Sequence, residues 1–522
     1  MNVKGGRRWW ALGALTLAVL AVGLDGTVLS VALPTLARSL HATESDLQWF
    51  SSSYLLVLAA AMLPAGFLGD RYGRKKVMLI SLAMFGAGSL LCAYSPSSAA
   101  FIAARVLLGL AGAGIIVMAL SALTVLFDEH ERPKAVGIWA AANFVALPIG
   151  PILGGWLLSN YWWGWVFLIN VPVALVGVVA IFVLLPESRA SRRPRIDAVG
   201  LAVWVAGLVA VTYGLIEAGQ NGWGSTTALA FMAFGLVLLI GFFIWERRVA
   251  RRPDGEPLID PALFDSASYT WGVILAGIAV LAMMGVLFTL PQYFQGVVGT
   301  DPMGSGLRLV PLIAGLVVGA LPADRVVQML GAKISAAIGF FLLGLGMAIG
   351  ATTTMQSGGA FVAAWMVIVG AGMGLAMSTS ASAALSELPE ERSGVGSAVL
   401  QSFNKVGGPF GVAILGSVLT NAYLAHLNLS GIPPAAVTAV RQSIFGGVAV
   451  AEKMGSATLL HSVRTSFIYG MDLSLVVSAG VAAAGAILAL VFMPARSAMQ
   501  VQESTVQEST PATKESDLVT AS

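Results

Sequence analysis

Two charged residues of this sequence stand inside long apolar stretches and are the first candidates for chemistry. Asp25 lies between "VGL" and "GTVLS", and Arg105 lies within "AARVLLGL". An ionisable group at membrane depth is costly unless it is paired or protonated, so it marks a functional site by default. A carboxylate there can carry a proton or pair with a cationic ligand. We therefore predict that Asp25 is a proton-coupling or substrate residue, the structural alternative being a carboxylate satisfied by Thr27 or Ser30.

The composition is that of a membrane protein. Of the 522 residues, 57% are hydrophobic and only 11% are charged, and the mean hydropathy is +0.85, whereas soluble domains carry roughly 25% charged residues. Apolar runs of about twenty residues recur, each long enough to cross a bilayer as a helix. The cations lie in short loops, which argues against a nucleic-acid partner. The single cysteine, Cys92, excludes an intramolecular disulfide and any multi-cysteine metal or redox site.

The apolar runs predict an all-α membrane protein with fourteen transmembrane helices. Most of the 29 Lys and Arg residues fall at the N-terminus, in the even-numbered loops and at the C-terminus, so the positive-inside rule puts both termini in the cytoplasm. Residues 423–469 are expected to form a long outer loop with a short interfacial helix. The predicted spans are 10–34, 47–69, 76–95, 99–124, 134–158, 163–185, 197–217, 227–246, 269–294, 304–323, 333–352, 360–384, 394–422 and 470–494.

Arg105 is the predicted partner of Asp25. Asp25 lies about nine residues before the outer end of span 1, and Arg105 lies about six residues into span 4 from the same side, so at 1.5 Å per residue their depths agree within about one turn. A nearby guanidinium favours the ionised carboxylate and separation favours the protonated one, so relative movement would drive proton uptake and release. The alternative is that Arg105 is a static brace for backbone carbonyls.

An internal duplication is visible in the loops. The stretch "GFLGDRYGRKK" follows span 2, and "GALPADRVVQMLGAK" follows span 10; both end a glycine-containing span, pass through Asp-Arg and open the next span with Gly and a cation. Spans 5 and 13 likewise carry "IGPILGG" and "GGPFG". The constant offset of eight helices predicts two six-helix bundles with a substrate site between them. The predicted units are a bundle at 1–190, two linking helices at 191–266, a bundle at 267–496 and a disordered tail at 497–522.

Five motifs lie in or beside the predicted spans: "LDGTVLSVALP" (24–34) in span 1, "GFLGDRYGRKK" (66–76) after span 2, "RVLLG" (105–109) with Gly112 and Gly114 in span 4, "GPILGG" (150–155) in span 5 and "WVFLINVP" (165–172) in span 6. Together they resemble the motifs of the major facilitator superfamily, specifically its fourteen-span drug:proton antiporter branch, over nearly the whole chain. Two positions depart from the usual pattern: Ser30 stands where Asn is usual, and Ala146 stands where a glycine is usual.

The resemblance implies a cytoplasmic gate in the loop between spans 2 and 3. Asp70 would lie against the positive helix start of span 13, near Ser393 and Gly394, where an acid is stabilised. A simpler interpretation of the cations is a topogenic loop, but it does not explain Asp70 or the ordered glycines. The predicted gate residues are Gly66, Asp70, Arg71, Gly73 and Arg74.

The resemblance also implies roles within the spans. Arg105 would take part in proton coupling, and the span 5 motif, with Gly150, Pro151, Gly154 and Gly155, would limit leak and favour exchange. Generic kinking and close packing are the alternative for span 5.

Other polar residues receive weaker expectations. Asn143, Gln292 and Asn404 are predicted to line the cavity. The chain has no phosphate-cradling loop and no room for a nucleotide-binding domain, so energy must come from an ion gradient, and no cofactor or metal is predicted. Four further charged residues, some of them near outer span ends, are weaker candidates for the functional site: Glu217, Asp472, Arg308 and Lys405.

These observations favour a proton-coupled exporter in the cytoplasmic membrane. It would be a monomer that exchanges protons for amphipathic drugs, cationic ones among them, or toxic metabolites by alternating access, and it would not be an enzyme. Three alternatives stay open: an exporter dedicated to one endogenous metabolite, lipid or antibiotic, an uptake symporter, and a membrane sensor or scaffold without transport.

Overall fold

The structure is a computed structural model that describes residues 5–127, 131–188, 197–252, 255, 257–386 and 390–494. Within these ranges the chain is helical and contains no strand. Helices α1 to α9 are Gly5–Ser39, Glu44–Tyr72, Arg74–Ala93, Ser98–Leu126, Arg132–Asn160, Trp165–Leu168, Asn170–Leu184, Ala198–Asn221 and Thr226–Ala250. Helices α10 to α18 are Ala267–Gln292, Pro302–Arg308, Val310–Ala320, Ala323–Gly350, Gly359–Ser386, Glu390–His426, Pro434–Gln442, Ile444–Met454 and Ala457–Phe492.

The number of spans is close to the prediction but does not confirm it. Among the described residues, twelve helical stretches are long and apolar enough to cross a membrane, or up to thirteen if α2 counts as one span with a 48° bend before Pro64. The predicted span 134–158 is present as helix α5, but it is not among these stretches. The structure therefore supports an all-helical protein with twelve or thirteen candidate spans among the described residues, and the predicted count of fourteen is not confirmed.

Three predicted segments differ from the structure. The span predicted at 163–185 is divided into α6 and α7, and the span predicted at 304–323 is divided into α11 and α12. The segment predicted as an outer loop at 423–469 holds α16 and α17, and α18 begins at Ala457 rather than at 470. Its start is fixed by Ser456, whose side chain accepts a hydrogen bond from the Leu459 amide, a local cap that span hydrophobicity does not reveal.

Local caps and glycines set the helix ends near the repeated loops. Thr43 and Asp46 form a capping box at the start of α2, which satisfies amides that would otherwise lack partners. Gly73 separates α2 from α3 with φ of 112°, and Gly331 interrupts α13 with φ of 81°. Only glycine adopts such backbone angles readily. Both breaks follow an Asp-Arg pair, so the repeated sequence produces a repeated turn.

Helix packing is also repeated between the two halves of the chain. In the first half α1 packs on α5 and α7, α2 packs on α4, and α3 packs on α4 and α7. In the second half α10 packs on α15 and α18, α12 packs on α14, and α13 packs on α14 and α18. The halves meet through the pairs α2–α15, α5–α11 and α1–α10, while α8 packs on α9, α2 and α15. The domain limits at 190 and 496 lie where residues are not described, so the exact division stays a prediction.

Candidate functional site

The structure brings Asp25 and Arg105 together. The Arg105 guanidinium donates from Nη1 to Asp25 Oδ2 at 2.6 Å, and the two residues are 2% and 1% exposed. Asn170 donates from Nδ2 to the other carboxylate oxygen, Oδ1, at 3.2 Å. A buried ion pair is tolerated only when its remaining polar atoms are also satisfied. Both oxygens of Asp25 therefore have a partner, and the charge is balanced locally.

Arg105 is also fixed by the helix that lies beside it. Its Nε donates to the Phe50 carbonyl at 3.0 Å, and its guanidinium carbon lies 4.2 Å from the centre of the Tyr54 ring. Tyr54 in turn donates its hydroxyl to the Val22 carbonyl at 3.0 Å. Helices α1, α2, α4 and α7 thus converge on one ion pair, so a movement of any of them relative to the others changes its geometry.

Two residues of this cluster were not predicted as site residues. Asn170 begins α7 and is the one amide side chain in the apolar stretch 165–184, so its place in the "WVFLINVP" motif is the sequence feature that distinguishes it. Tyr54 follows "SSS" in α2, where neither composition nor spacing distinguishes a ring that packs on a guanidinium from one that faces lipid.

A cavity of about 230 Å³ lies between the two halves. Its walls come from α1, α2, α4 and α5 on one side and from α10, α12, α14 and α15 on the other. Most of the lining is apolar; the polar side chains Gln401, Asn404 and Lys405 lie together on α15. A mostly apolar cavity with a few converging polar groups is the usual form of a small-molecule site.

Asp25 does not line this cavity. It borders a smaller cavity of about 80 Å³ between α1, α5, α6 and α7, together with Asn170. Tyr54 lines the central cavity and also packs on Arg105, and Arg105 borders a pocket of about 20 Å³ that shares Gly26, Thr27 and other residues with the central lining. The ion pair therefore lies behind the wall of the central cavity.

The predicted cavity residues fall in different places. Asn404 lines the central cavity. Gln292 is fully buried elsewhere and donates to Glu44 Oε1 at 3.1 Å, joining α10 to the start of α2. The side chain of Asn143 lies outside the described part of the chain. Of the weaker charged candidates, Lys405 lines the cavity, whereas Glu217 accepts a hydrogen bond from Asn221 on the surface of α8.

Direct contacts close one end of the cleft between the halves. Besides Gln292 and Glu44, Gln48 donates to Thr420 at 3.3 Å and Gln295 donates to the Val31 carbonyl at 3.1 Å. All of these side chains are buried. They lie towards the start of α2 and the end of α10, at the end of the bundle opposite the basic loop that joins α2 to α3.

The glycines of the span 5 motif allow close contact between helices. A Cβ on Gly154 would lie 3.2 Å from the Val28 side chain on α1, and one on Gly155 would lie 2.7 Å from the Pro302 carbonyl on α11. Gly150 faces Thr27, and the Pro151 carbonyl faces Gly306. Contacts this short leave no room for a side chain. The motif therefore holds α5 against α1 within one half and against α11 of the other half.

The predicted gate residues lie at the turn between α2 and α3. Arg74 donates to Asp70 Oδ1 from Nη2 at 3.0 Å, and it also donates to the Ser121 carbonyl of α4 at 3.4 Å. Gly69 packs on Met118, Gly66 lies near Val117, and Arg71 is exposed beside Tyr72. The side chains of residues 391–398, which include the predicted partner positions Ser393 and Gly394, lie outside the described part. The latch between Asp70 and α15 stays a prediction.

Comparison with known proteins identifies the family. A model of the Major Facilitator Superfamily matches residues 15–412. The chain is 33% identical over 497 residues to a tetracenomycin C resistance and export protein of Streptomyces glaucescens, covering 93% of this chain and 91% of that protein. It is 32% identical over 500 residues to the multidrug efflux pump LfrA of Mycolicibacterium smegmatis, with 93% and 96% covered. The chain belongs to the Major Facilitator Superfamily.

Solved structures agree on the fold. A bacterial homologue of the human lysosomal transporter Spinster matches with a TM-score of 0.67 at 16% identity, covering 95% of this chain and 99% of that one. A D-xylose–proton symporter matches with a TM-score of 0.58 at 15% identity, covering 93% and 98%. The chain is a membrane transporter of small molecules and not an enzyme. Members of the superfamily generally act as single-chain units, and the relatives of this chain are drug and antibiotic efflux and resistance proteins, which supports efflux transport.

Proposed function

We propose that this protein is a proton-coupled antiporter that exports amphipathic drugs or toxic metabolites across the cytoplasmic membrane. The observation that carries the proposal is the buried Asp25–Arg105 pair immediately behind the wall of the central cavity. A carboxylate at this depth is either paired or protonated, so it can exist in two charge states that differ by one proton. Relatives named for export and efflux support the outward direction.

The coupling that best fits the geometry is indirect. Both oxygens of Asp25 are held by Arg105 and Asn170, and Asp25 is not part of the central lining. Substrate in the cavity touches Tyr54 rather than the carboxylate itself, and Tyr54 packs on Arg105. We infer that substrate packed on Tyr54 holds Arg105 against Asp25, which keeps the carboxylate ionised, and that departure of the substrate lets the ion pair loosen so that Asp25 takes up a proton. Direct competition of proton and substrate for Asp25 is the simpler scheme that this one replaces.

Alternating access would use the contacts between the halves. The positive-inside rule assigns the loop between α2 and α3 to the cytoplasm, so the end closed by Glu44–Gln292 and Gln48–Thr420 is the outer one. The described conformation would then offer its cavity to the cytoplasm, with both termini on that side. Opening the outer end would require these buried hydrogen bonds and the α5–α11 contact to part, while Asp70 and its neighbours close the cytoplasmic side.

An exporter dedicated to one metabolite or antibiotic is the second candidate. One relative is named for tetracenomycin C, whereas another is named as a multidrug pump. Relatives of this chain are therefore named both for a single substrate and for many. A non-transporting sensor or scaffold gains no support, because the cavity lies between two halves that meet through separable polar contacts.

The test of the proposal is proton movement that depends on substrate. Purified protein would be reconstituted in liposomes that contain the pH indicator pyranine, and a gradient of an amphipathic dye would be imposed. Two dyes, anionic 8-anilinonaphthalene-1-sulfonate and cationic ethidium, would be compared with empty liposomes. An antiporter predicts proton flux opposite to the dye flux for at least one dye, abolished by a protonophore. Dye flux that carries no protons would contradict antiport, and proton flux in the same direction would indicate a symporter.

A further inference from the structure

The central cavity has one polar wall, and that wall carries a cation. Gln401, Asn404 and Lys405 all border the cavity, and their spacing on α15 puts them on one helix face. Lys405 lies near the middle of the predicted span 394–422. A charged side chain at such a depth is rare and usually faces a water-filled cavity or a partner group.

The described residues supply no counter-charge for Lys405. It forms no hydrogen bond or ion pair with them, and the described lining of the cavity contains no acidic side chain. Asp25 is not available, because Arg105 and Asn170 hold both of its oxygens. Arg105 is itself engaged by Asp25 and the Phe50 carbonyl. Lys405 is thus the uncompensated charge in the described lining.

The neighbouring amide points to a second polar contact. Asn404 is only 6% exposed, and its Oδ1 has no hydrogen-bond partner. A buried acceptor without a partner costs about 1–3 kcal/mol, so a ligand that donates a hydrogen bond there would relieve it. Most of the remaining lining is apolar and includes Met283, Met284 and Met377, and methionine adapts its shape to different ligands.

We propose that the cavity selects amphipathic substrates that carry an anionic group with a hydrogen-bond donor beside it. Lys405 binds the anionic group, and Asn404 accepts the hydrogen bond from the donor. The proposal rests on the proposed transport function and names its substrate class. It differs from the sequence-based expectation of cationic substrates, for which an acid in the cavity would be needed. Carboxylates and acidic phenols attached to an apolar ring system have this chemistry.

The proposal has an energetic consequence for antiport. Export of one monovalent anion in exchange for inward protons moves positive charge inward in both half-reactions. An inside-negative membrane potential would therefore drive the exchange in addition to the pH gradient. One-for-one exchange of a proton and a monovalent cation would move no net charge.

A binding experiment with a matched pair of probes tests the assignment. The anion 8-anilinonaphthalene-1-sulfonate and its neutral parent N-phenyl-1-naphthylamine share a ring system and differ by the sulfonate. Binding to the full chain in nanodiscs would be measured by fluorescence for wild type, Lys405→Met, Lys405→Arg and Lys453→Met. Lys453 is exposed on α17, away from the cavity, so its variant controls for the loss of a cation. Size-exclusion profiles and Tm would establish that each variant is folded.

We expect Lys405→Met to weaken sulfonate binding by about 10- to 100-fold, the worth of one hydrogen bond to a charged group. Binding of the neutral parent should change little, Lys405→Arg should retain most of the sulfonate affinity, and Lys453→Met should match wild type. Equal sulfonate affinity in wild type and Lys405→Met would overturn the proposal. A Lys405→Met variant that fails to fold leaves Lys405→Arg and Lys405→Gln, and equal sulfonate affinity in those two would overturn it as well.

The same probes separate this proposal from the proton-coupling proposal. Equilibrium binding needs no gradient, so Asp25→Asn should still bind the sulfonate while its gradient-driven efflux is lost. If wild type couples proton flux to substrate flux but Lys405 has no effect on sulfonate binding, only the substrate assignment is overturned. Lys405-dependent binding without proton flux would overturn only the coupling.

Discussion

The guanidinium carbon of Arg105 lies 4.2 Å from the ring centre of Tyr54, and the same ring forms part of the wall of the central cavity. One aromatic side chain therefore touches both the buried ion pair and the space where substrate would bind. A cation over a ring contributes about 0.5–2 kcal/mol, depending on how dry the site is. This contact is a direct physical link between the substrate cavity and the ion pair.

Replacing the ring should uncouple the two events. Tyr54→Leu keeps an apolar wall but removes the ring over Arg105 and the hydrogen bond to Val22. We expect a higher proton leak without substrate and less substrate efflux per proton, because no ring then connects substrate in the cavity with the Arg105 guanidinium. Proton flux into pyranine-loaded liposomes measures the leak, and proton flux compared with dye efflux in the same liposomes gives the coupling ratio. Tyr213→Leu, a half-exposed position on α8, should behave like wild type. A leak and a coupling ratio equal to wild type in Tyr54→Leu would remove Tyr54 from the pathway.

Asn170 should matter for stability as well as for transport. Asn170→Ala leaves Asp25 Oδ1 buried without its hydrogen bond, a loss of about 1–3 kcal/mol. We expect a lower Tm in detergent and reduced gradient-driven efflux. The control is Asn160→Ala, because the Asn160 amide is exposed and, among the described residues, bonds only the Trp156 carbonyl of its own helix. Identical melting of Asn170→Ala and Asn160→Ala would show that Asn170 does not support the carboxylate.

Gly155 should be essential for closing the end of the cleft where α5 meets α11. A side chain there would press on the Pro302 carbonyl at 2.7 Å and on Met303 Cα at 2.9 Å. Gly155→Leu should therefore hold this end open. Ser52 of α2 is buried in another contact between the same two halves, where its hydroxyl donates to the Pro409 carbonyl of α15. Labelling of Ser52→Cys by a membrane-impermeant maleimide should therefore speed up by at least about tenfold when the halves are held apart, since burial normally excludes the reagent. Gly13→Leu is the matched control, because an added Cβ there would meet nothing within 4 Å beyond the adjacent backbone of its own helix. Unchanged labelling in Gly155→Leu would contradict the assignment of this contact as a gate.

Asp70 should affect transport and not substrate affinity. Asp70→Asn removes the charge that binds Arg74 and that the proposed latch would place at a helix start. An interaction with a helix dipole is worth about 0.3–1 kcal/mol, so we expect roughly a two- to fivefold slower efflux. Asp265→Asn, at an exposed position before α10, controls for the loss of an acid. A large loss of equilibrium probe binding in Asp70→Asn would instead indicate that Asp70 belongs to the substrate site.

Some of this architecture follows from the sequence for a clear physical reason. Hydrocarbon thickness fixes the length of an apolar helix, so the apolar runs predicted most helices, and helix rise predicted that Asp25 and Arg105 lie at one depth. Breaks inside spans were missed because they depend on local caps and prolines, such as Pro311 at the start of α12. The sequence did not predict which helix faces meet. Gln292 was therefore expected in the cavity but bonds Glu44, and Asn170 was not connected to Asp25.

The most direct test of the account is gradient-driven efflux by Asp25→Asn, compared with wild type and Glu217→Gln in the same liposomes. Glu217 bonds only Asn221 on the surface of α8 among the described residues, so its variant removes an acid without touching the ion pair. The account predicts that Asp25→Asn still exchanges labelled for unlabelled 8-anilinonaphthalene-1-sulfonate at equilibrium but no longer responds to an imposed pH gradient, while Glu217→Gln does both. Full gradient-driven efflux by Asp25→Asn would contradict the claim that this carboxylate carries the coupled proton.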